Sequence, residues 1–103
     1  RIAEMDAALD RNDIDAWVEA DDQFHVDMRN LCPNKFIVDA LKEVAGQIYY
    51  TRMLVTRVML DKRRSTQEHG EMLRYIELGM GQEARDQTEQ HIRRIRREVM
   101  GIL

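Results

Sequence analysis

The feature that most constrains this chain is a stretch from Ile14 to Leu31 in which apolar residues recur at intervals of three, four and seven. Its apolar positions are Ile14, Trp17, Val18, Phe24, Met28 and Leu31. This spacing is typical of a helix that buries one face. Asp21 and His25 fall within the same stripe, so the pattern turns a carboxylate and an imidazole toward the interior of the protein.

Asp21 and His25 are four residues apart, which on a helix means about 40° of rotation and about 6 Å of rise. Their side chains therefore lie on one side of the helix. A buried carboxylate costs several kcal/mol unless a positive group meets it. The pair can supply two ligands to one metal ion, although two residues alone fit a plain Asp–His hydrogen bond slightly better.

Composition favours an all-α protein, because five glycines and one proline are few for a strand-rich chain. The 103 residues allow one domain, spanning 1–103. Periodicity and turn residues predict an antiparallel helical bundle. Its helices run from the start to about Leu9, from Ile14 to about Leu31, from Asn34 to about Asp61 with a bend near Gly46, from a Ser65–Glu68 capping box to Gly79, and from Gln82 to about Met100, with Asp61–Arg64 as a polar connector.

The three histidines, His25, His69 and His91, all fall on apolar helix faces. Each alone is more often a satisfied core histidine than a ligand. His69 precedes Met80 by eleven residues and His91 follows it by eleven, so helices that turn at Met80 bring both imidazoles to one level. With Asp21 and His25, they form a set that suits Zn²⁺ best, with Ni²⁺, Fe²⁺ or Mn²⁺ as alternatives. Four ligands can close a tetrahedral site, or a roomier site can leave positions for water or an anion.

These residues resemble a known family. The motif Asp21-x-x-Phe24-His25, Asn34 nine residues later, Glu68-His69, and His91 a further 22 residues on are similar to the FadR-type C-terminal (FCD) domain of GntR-family transcription regulators. The resemblance covers about Ile14 to Val99. It implies an all-α effector-binding and dimerisation domain, FadR C-terminal domain-like, that forms a homodimer. A winged helix-turn-helix domain that binds operator DNA would precede it in the full protein.

In the metal-binding branch of that family, Asp21, His25, His69 and His91 would hold the ion. A small organic-acid or sugar-acid effector would occupy its open positions. Two departures stand out: most of the family's first helix is absent, so the chain is expected to be a fragment, and Met80 replaces the usual capping Asp.

An acidic effector also needs a cation, and Arg binds carboxylates in a bidentate manner. Arg52, with Tyr49 and Thr56 on the same predicted helix face, is the preferred candidate, although a surface Arg fits equally well. Thr66 is a weaker candidate for a pocket hydroxyl. The arginines of the last helix, Arg93, Arg94, Arg96 and Arg97, are interpreted as a solvated face rather than a nucleic-acid site, since the net charge of the chain is −3.

Other classes fit less well. Di-iron bundles need Glu-x-x-His motifs, and this chain has none. Glu68 is next to His69, about 100° round the helix, which aims it poorly as a general base. An enzyme is therefore not expected, and a metal-dependent helical-bundle enzyme and a metal-free structural or dimerisation domain remain as alternatives. The single cysteine, Cys32, and the absence of a signal or membrane-spanning segment favour the cytoplasm and no membrane partner.

Overall fold

The computed structural model describes residues 1–31, 33–40, 54, 55, 57 and 61–102, with Ile102 described by its backbone alone. Within these residues the secondary structure is helical and contains no strand, which confirms the all-α prediction. The helices are Ile2–Asp10, Ile14–Asn30, Lys62–Glu77 and Gly81–Ile102, with further helical residues at 35–40. No helix in the described part of the chain is long and apolar enough to cross a lipid bilayer.

The chain divides into two compact units. The first unit is Ala3–Arg57 together with Arg1, and the second is Val58–Leu103 together with Ile2. The Ile14–Asn30 helix lies in the first unit, and the two long helices that follow Asp61 make up most of the second.

The Ile14–Asn30 helix begins at a side-chain cap. Asp13 accepts a hydrogen bond from the backbone N–H of Ala16 at 3.0 Å, so the acceptor lies three residues before its donor, as an N-cap requires. Asn12 takes the left-handed conformation, with φ 56°, which Asn tolerates better than most residues. The helix buries the middle of its predicted apolar face, at Trp17, Val18 and Phe24, whereas Ile14 and Leu31 at the two ends are exposed. Among the described residues of the first unit, the buried apolar side chains are those of Met5, Ala8, Trp17, Val18, Ala20 and Phe24.

Asn34 caps the next helical residues, as its Oδ1 accepts from the backbone N–H groups of Phe36 and Ile37 at 3.0 and 3.3 Å. The predicted helix from Asn34 to Asp61 starts here. The predicted bend near Gly46 lies outside the described residues.

The start of the Lys62–Glu77 helix corrects the predicted capping box. Asp61 is the N-cap, and its side chain accepts from the backbone N–H of Arg64 at 2.9 Å. Residues 62–64, predicted as a connector, are therefore helical. Ser65 is fully buried within the helix, where its hydroxyl accepts from Arg94 at 2.7 Å. The Ser65–Glu68 spacing matches a capping box, but Asp61 supplies an anionic acceptor one turn earlier, which suits a helix N-terminus at least as well.

The two long helices are joined by a short turn centred on Gly79. This residue has φ 71°, in the left-handed region that glycine adopts readily. Its N–H donates to Ile76 O at 3.0 Å, and the N–H of Met80 donates to Tyr75 O at 2.8 Å. These two bonds form a Schellman motif, which ends the Lys62–Glu77 helix and reverses the chain. The Gly81–Ile102 helix then starts one residue before the predicted position.

The two helices pack against each other in antiparallel fashion. Contacts pair His69 with His91, Glu68 with Arg94, and Ser65 with Arg94. Later residues of one helix meet earlier residues of the other, as antiparallel packing requires. The second unit therefore contains the helical hairpin that the spacing of the two histidines predicts, and we call it the His69–His91 hairpin.

The N-cap assignment can be tested with two substitutions at one position. Asp61→Ala removes the acceptor for the N–H of Arg64 and is expected to lower the free energy of unfolding by about 1 kcal/mol. Asp61→Asn keeps a side-chain acceptor and is expected to change it by much less. Urea unfolding followed by circular dichroism measures both. Equal losses in the two variants would contradict the capping role.

Candidate metal centre

The centre of the His69–His91 hairpin is a contact between two imidazoles. The Nε2 atoms of His69 and His91 lie 3.1 Å apart, and the ring centroids are 4.7 Å apart with the planes tilted by 59°. Both residues are buried, at 1% and 6% exposure. The two rings are level across the hairpin, as the eleven-residue spacings on either side of Met80 predict.

A nitrogen–nitrogen distance of 3.1 Å fits two kinds of interaction. It is the length of an N–H···N hydrogen bond, in which one ring donates and the other accepts. It also suits two ligands of one ion. With Zn–N bonds of about 2.0–2.1 Å, nitrogens at this separation subtend about 100° at the metal, between the octahedral and tetrahedral angles. The hydrogen bond requires a lone pair on one of the facing Nε2 atoms, and a shared metal ion requires a lone pair on both.

Glu68 decides which nitrogen of His91 carries that lone pair. The Nδ1 atom of His91 lies 2.7 Å from Oε1 of Glu68. An ionised carboxylate only accepts hydrogen bonds, so Nδ1–H donates to it. The neutral ring then has its lone pair on Nε2, which faces His69. A carboxylate that orients a histidine in this way is typical of metal sites, where it also makes the ligand nitrogen more basic.

Arg94 holds Glu68 in place. Its Nε donates to both carboxylate oxygens, at 2.9 and 3.1 Å, and its Nη2 donates to Oε1 at 2.6 Å. The guanidinium also donates to the hydroxyl of Ser65 at 2.7 Å and forms an ion pair with Glu98. We call Glu68, Arg94, Ser65 and Glu98 the Arg94 cluster.

The interpretation of the last helix's arginines as a solvated face is wrong for Arg94, which is 5% exposed. Arg93, Arg96 and Arg97 are exposed, as that interpretation predicts. The sequence contained a signal, because Arg94 follows His91 by three residues and so shares its helix face. Its acidic partner is 26 residues earlier in the chain, which local patterns do not reveal.

Glu68 and Arg94, the central ion pair of the Arg94 cluster, both stay charged at neutral pH. Burial by itself raises the pKa of Glu68, but hydrogen bonds from Arg94 and His91 outweigh burial and lower that pKa below its ordinary value. Burial also lowers the pKa of Arg94, and the hydrogen bond to Glu68 together with both carboxylate charges raises it above its ordinary value. The carboxylate that His91 meets is therefore ionised at neutral pH.

The first unit holds the other two predicted ligands. Asp21 is buried, at 4% exposure, and its Oδ1 lies 3.6 Å from Nε2 of His25. The His25 side chain keeps 37% of its surface exposed, so it faces inward less completely than its place in the apolar stripe predicts. Within this unit, Asp21 and His25 offer a carboxylate oxygen and an imidazole nitrogen, both donor atoms that a metal ion can take.

The predicted effector contacts are less fully described. Tyr49, Arg52 and Thr56 lie outside the described residues. Thr66 is fully buried, and its hydroxyl donates to the carbonyl oxygen of Lys62 at 3.0 Å. Its role as a pocket hydroxyl stays a prediction.

The Arg94 cluster predicts an unequal effect for two neighbouring arginines. Arg94→Met leaves Glu68 buried without its main cation, and the free energy of unfolding is expected to fall by about 3–5 kcal/mol. The matched control, Arg93→Met, removes an exposed charge and is expected to change it by less than about 0.5 kcal/mol. Urea unfolding measures both variants. Similar losses at the two positions would show that Arg94 is not a buried partner of Glu68.

Comparison with known proteins gives one result. A family model described as FCD domain matches residues 1–94. No match is found among curated proteins or among solved structures.

Proposed function

This chain belongs to the FCD domain family, the C-terminal effector-binding domain of GntR-family regulators, and from that premise we propose that it senses a small carboxylate effector through a bound divalent metal. FCD domains are regulatory, ligand-binding domains rather than enzymes, and they often bind metals. The observation that carries the proposal is the pair of buried imidazoles in the His69–His91 hairpin, one of them oriented by Glu68.

In this proposal the metal ligands are Asp21, His25, His69 and His91. One carboxylate and three imidazoles match the donors that Zn²⁺ prefers, and Ni²⁺, Fe²⁺ or Mn²⁺ would accept the same set. The carboxylate–imidazole bond at His91 supports the assignment, because metal-bound histidines commonly give their other N–H to such a partner. When bound, the ion supplies a Lewis-acidic anchor for a carboxylate oxygen of the effector.

The effector is proposed to be a small organic acid or sugar acid. Arg52, Tyr49, Thr56 and Thr66 are proposed to contact it, with Arg52 binding a second carboxylate or a hydroxyl. The half-exposed ring of His25 favours access from solvent at that ligand, since the other imidazoles are almost fully buried.

The signal is proposed to reach DNA through a homodimer. FCD domains typically dimerise, and an effector that binds one arrangement of the helices more tightly than another shifts the population toward it. A DNA-binding domain on the N-terminal side of this chain would then change its affinity for operator DNA. Such a regulator works in the cytoplasm.

Two other functions are less well supported than this one. A metal-dependent enzyme needs a general base near the ion, and Glu68 is already engaged by Arg94 and His91. A metal-free structural domain would use the His69–His91 contact as a hydrogen bond alone. Metal analysis separates this last alternative from the proposal.

The first test is the metal content of the protein purified without chelator. Mass spectrometry of the metals is expected to find about one divalent ion per chain. His69→Gln and His91→Gln are each expected to lose most of it, because each removes an imidazole ligand. Arg93→Gln, on the same helix as His91 but exposed, is the matched control and is expected to retain the ion. Full occupancy in both histidine variants would contradict the proposed site.

The second test links the effector to the metal. Organic and sugar acids are added to the metal-loaded protein and to protein stripped with chelator, and thermal unfolding is recorded. An effector at 100 times its Kd is expected to stabilise the loaded form by about 2.7 kcal/mol. Its effect on the stripped form is expected to be small. Equal stabilisation of both forms would show that the effector binds without the metal, which would contradict the proposal.

A further inference from the structure

We propose that Glu68 and Arg94 are positioning residues that fix the tautomer of His91. Neither is one of the proposed metal ligands. In this inference Arg94 orients the Glu68 carboxylate, the carboxylate selects the Nδ1–H form of His91, and the Nε2 lone pair of that ring is thereby aimed at His69. The consequence for metal affinity rests on the proposed function, whereas the choice of tautomer does not.

The first step is the hydrogen bonding of the Arg94 guanidinium to the Glu68 carboxylate. The guanidinium is planar, and its Nε and Nη2 donors bind the two carboxylate oxygens at 2.6–3.1 Å. A bidentate contact of this kind fixes the plane of the carboxylate as well as its position. Nη2 also donates to the hydroxyl of Ser65, and the remaining nitrogen, Nη1, binds Glu98, so the guanidinium has little freedom to turn.

The second step is the choice that Glu68 imposes on His91. A neutral imidazole with no fixed partner populates both tautomers, with the proton on Nδ1 or on Nε2. The carboxylate of Glu68 is 2.7 Å from Nδ1 and offers only acceptors, so the form with a proton on Nδ1 is selected. Both residues are buried, and a buried acceptor left without its donor would be costly.

The third step concerns Nε2. With the proton held on Nδ1, this atom presents a lone pair along the 3.1 Å line to His69. If the selection were lost, part of the population would carry a proton on Nε2, and that population could not bind a cation there. Loss of such an orienting partner typically weakens metal binding by about 10–100-fold.

The test reads the tautomer directly in protein stripped of metal. Histidines are labelled with ¹⁵N, and long-range ¹H–¹⁵N spectra at neutral pH report which ring nitrogen carries the proton. The wild type is expected to show His91 with its proton on Nδ1. Glu68→Gln keeps the shape of the side chain but offers Nδ1 either an acceptor or a donor. Both tautomers are expected in this variant.

Arg94→Lys provides a second variant that keeps the positive charge and loses the planar fork. In Arg94→Lys, the fraction of His91 that carries its proton on Nε2 is expected to be above that of the wild type but below that of Glu68→Gln. Circular dichroism verifies that both variants fold. Arg93→Lys is the matched control and is expected to leave the spectrum of His91 unchanged. A single Nδ1–H tautomer in Glu68→Gln and in Arg94→Lys would overturn the inference.

Zinc affinity, measured by competition with a chelating dye, completes the test. Glu68→Gln is expected to bind Zn²⁺ about 10–100-fold more weakly than the wild type. If the tautomer changes and the affinity does not, the positioning role at the metal is wrong. If the wild type binds no zinc, the proposed function fails, and the spectra of the stripped protein still decide whether Glu68 selects the tautomer.

Discussion

A buried contact between Arg94 and Glu68 joins the two long helices of the second unit, Lys62–Glu77 and Gly81–Ile102, through three hydrogen bonds of 2.6–3.1 Å. A buried ion pair adds little net stability, because removing both charges from water offsets most of their attraction. It does penalise every arrangement in which one charge lacks the other. The contact therefore favours one register of the hairpin.

That register also places Glu68 beside His91 and His91 beside His69. With the carboxylate of Glu68 fixed, the Nδ1–H of His91 has one acceptor, and the facing Nε2 atoms of His69 and His91 lie within hydrogen-bonding distance. In the proposed metal site, the same two Nε2 atoms would bind the ion. Metal binding would replace the hydrogen bond between the two imidazoles. The measured free energy of metal binding would therefore be less favourable by the strength of that bond, typically about 0.5–1.5 kcal/mol.

The sequence predicts most of what depends on local spacing. The helix from Ile14, its cap among Asn12 and Asp13, and the level placement of His69 and His91 all follow from counting residues along a helix. Two predictions fail where a local pattern competes with a distant partner. Ser65 has the spacing of a cap, but its hydroxyl binds Arg94, which is 29 residues later in the chain. Arg94 lies among exposed arginines, and only the position of Glu68 across the hairpin makes it a buried residue.

The tight turn at Gly79 has an evolutionary consequence. Surface connections usually accept inserted or deleted residues, since a longer loop adds little to the entropy of closing it. This turn differs, because Gly79 and Met80 also complete the hydrogen bonds that end the preceding helix. One added residue that extended the last helix would rotate it by about 100° and shift it by about 1.5 Å relative to its neighbour. Point substitutions can accumulate around such a hairpin, while changes in its length are expected to be selected against.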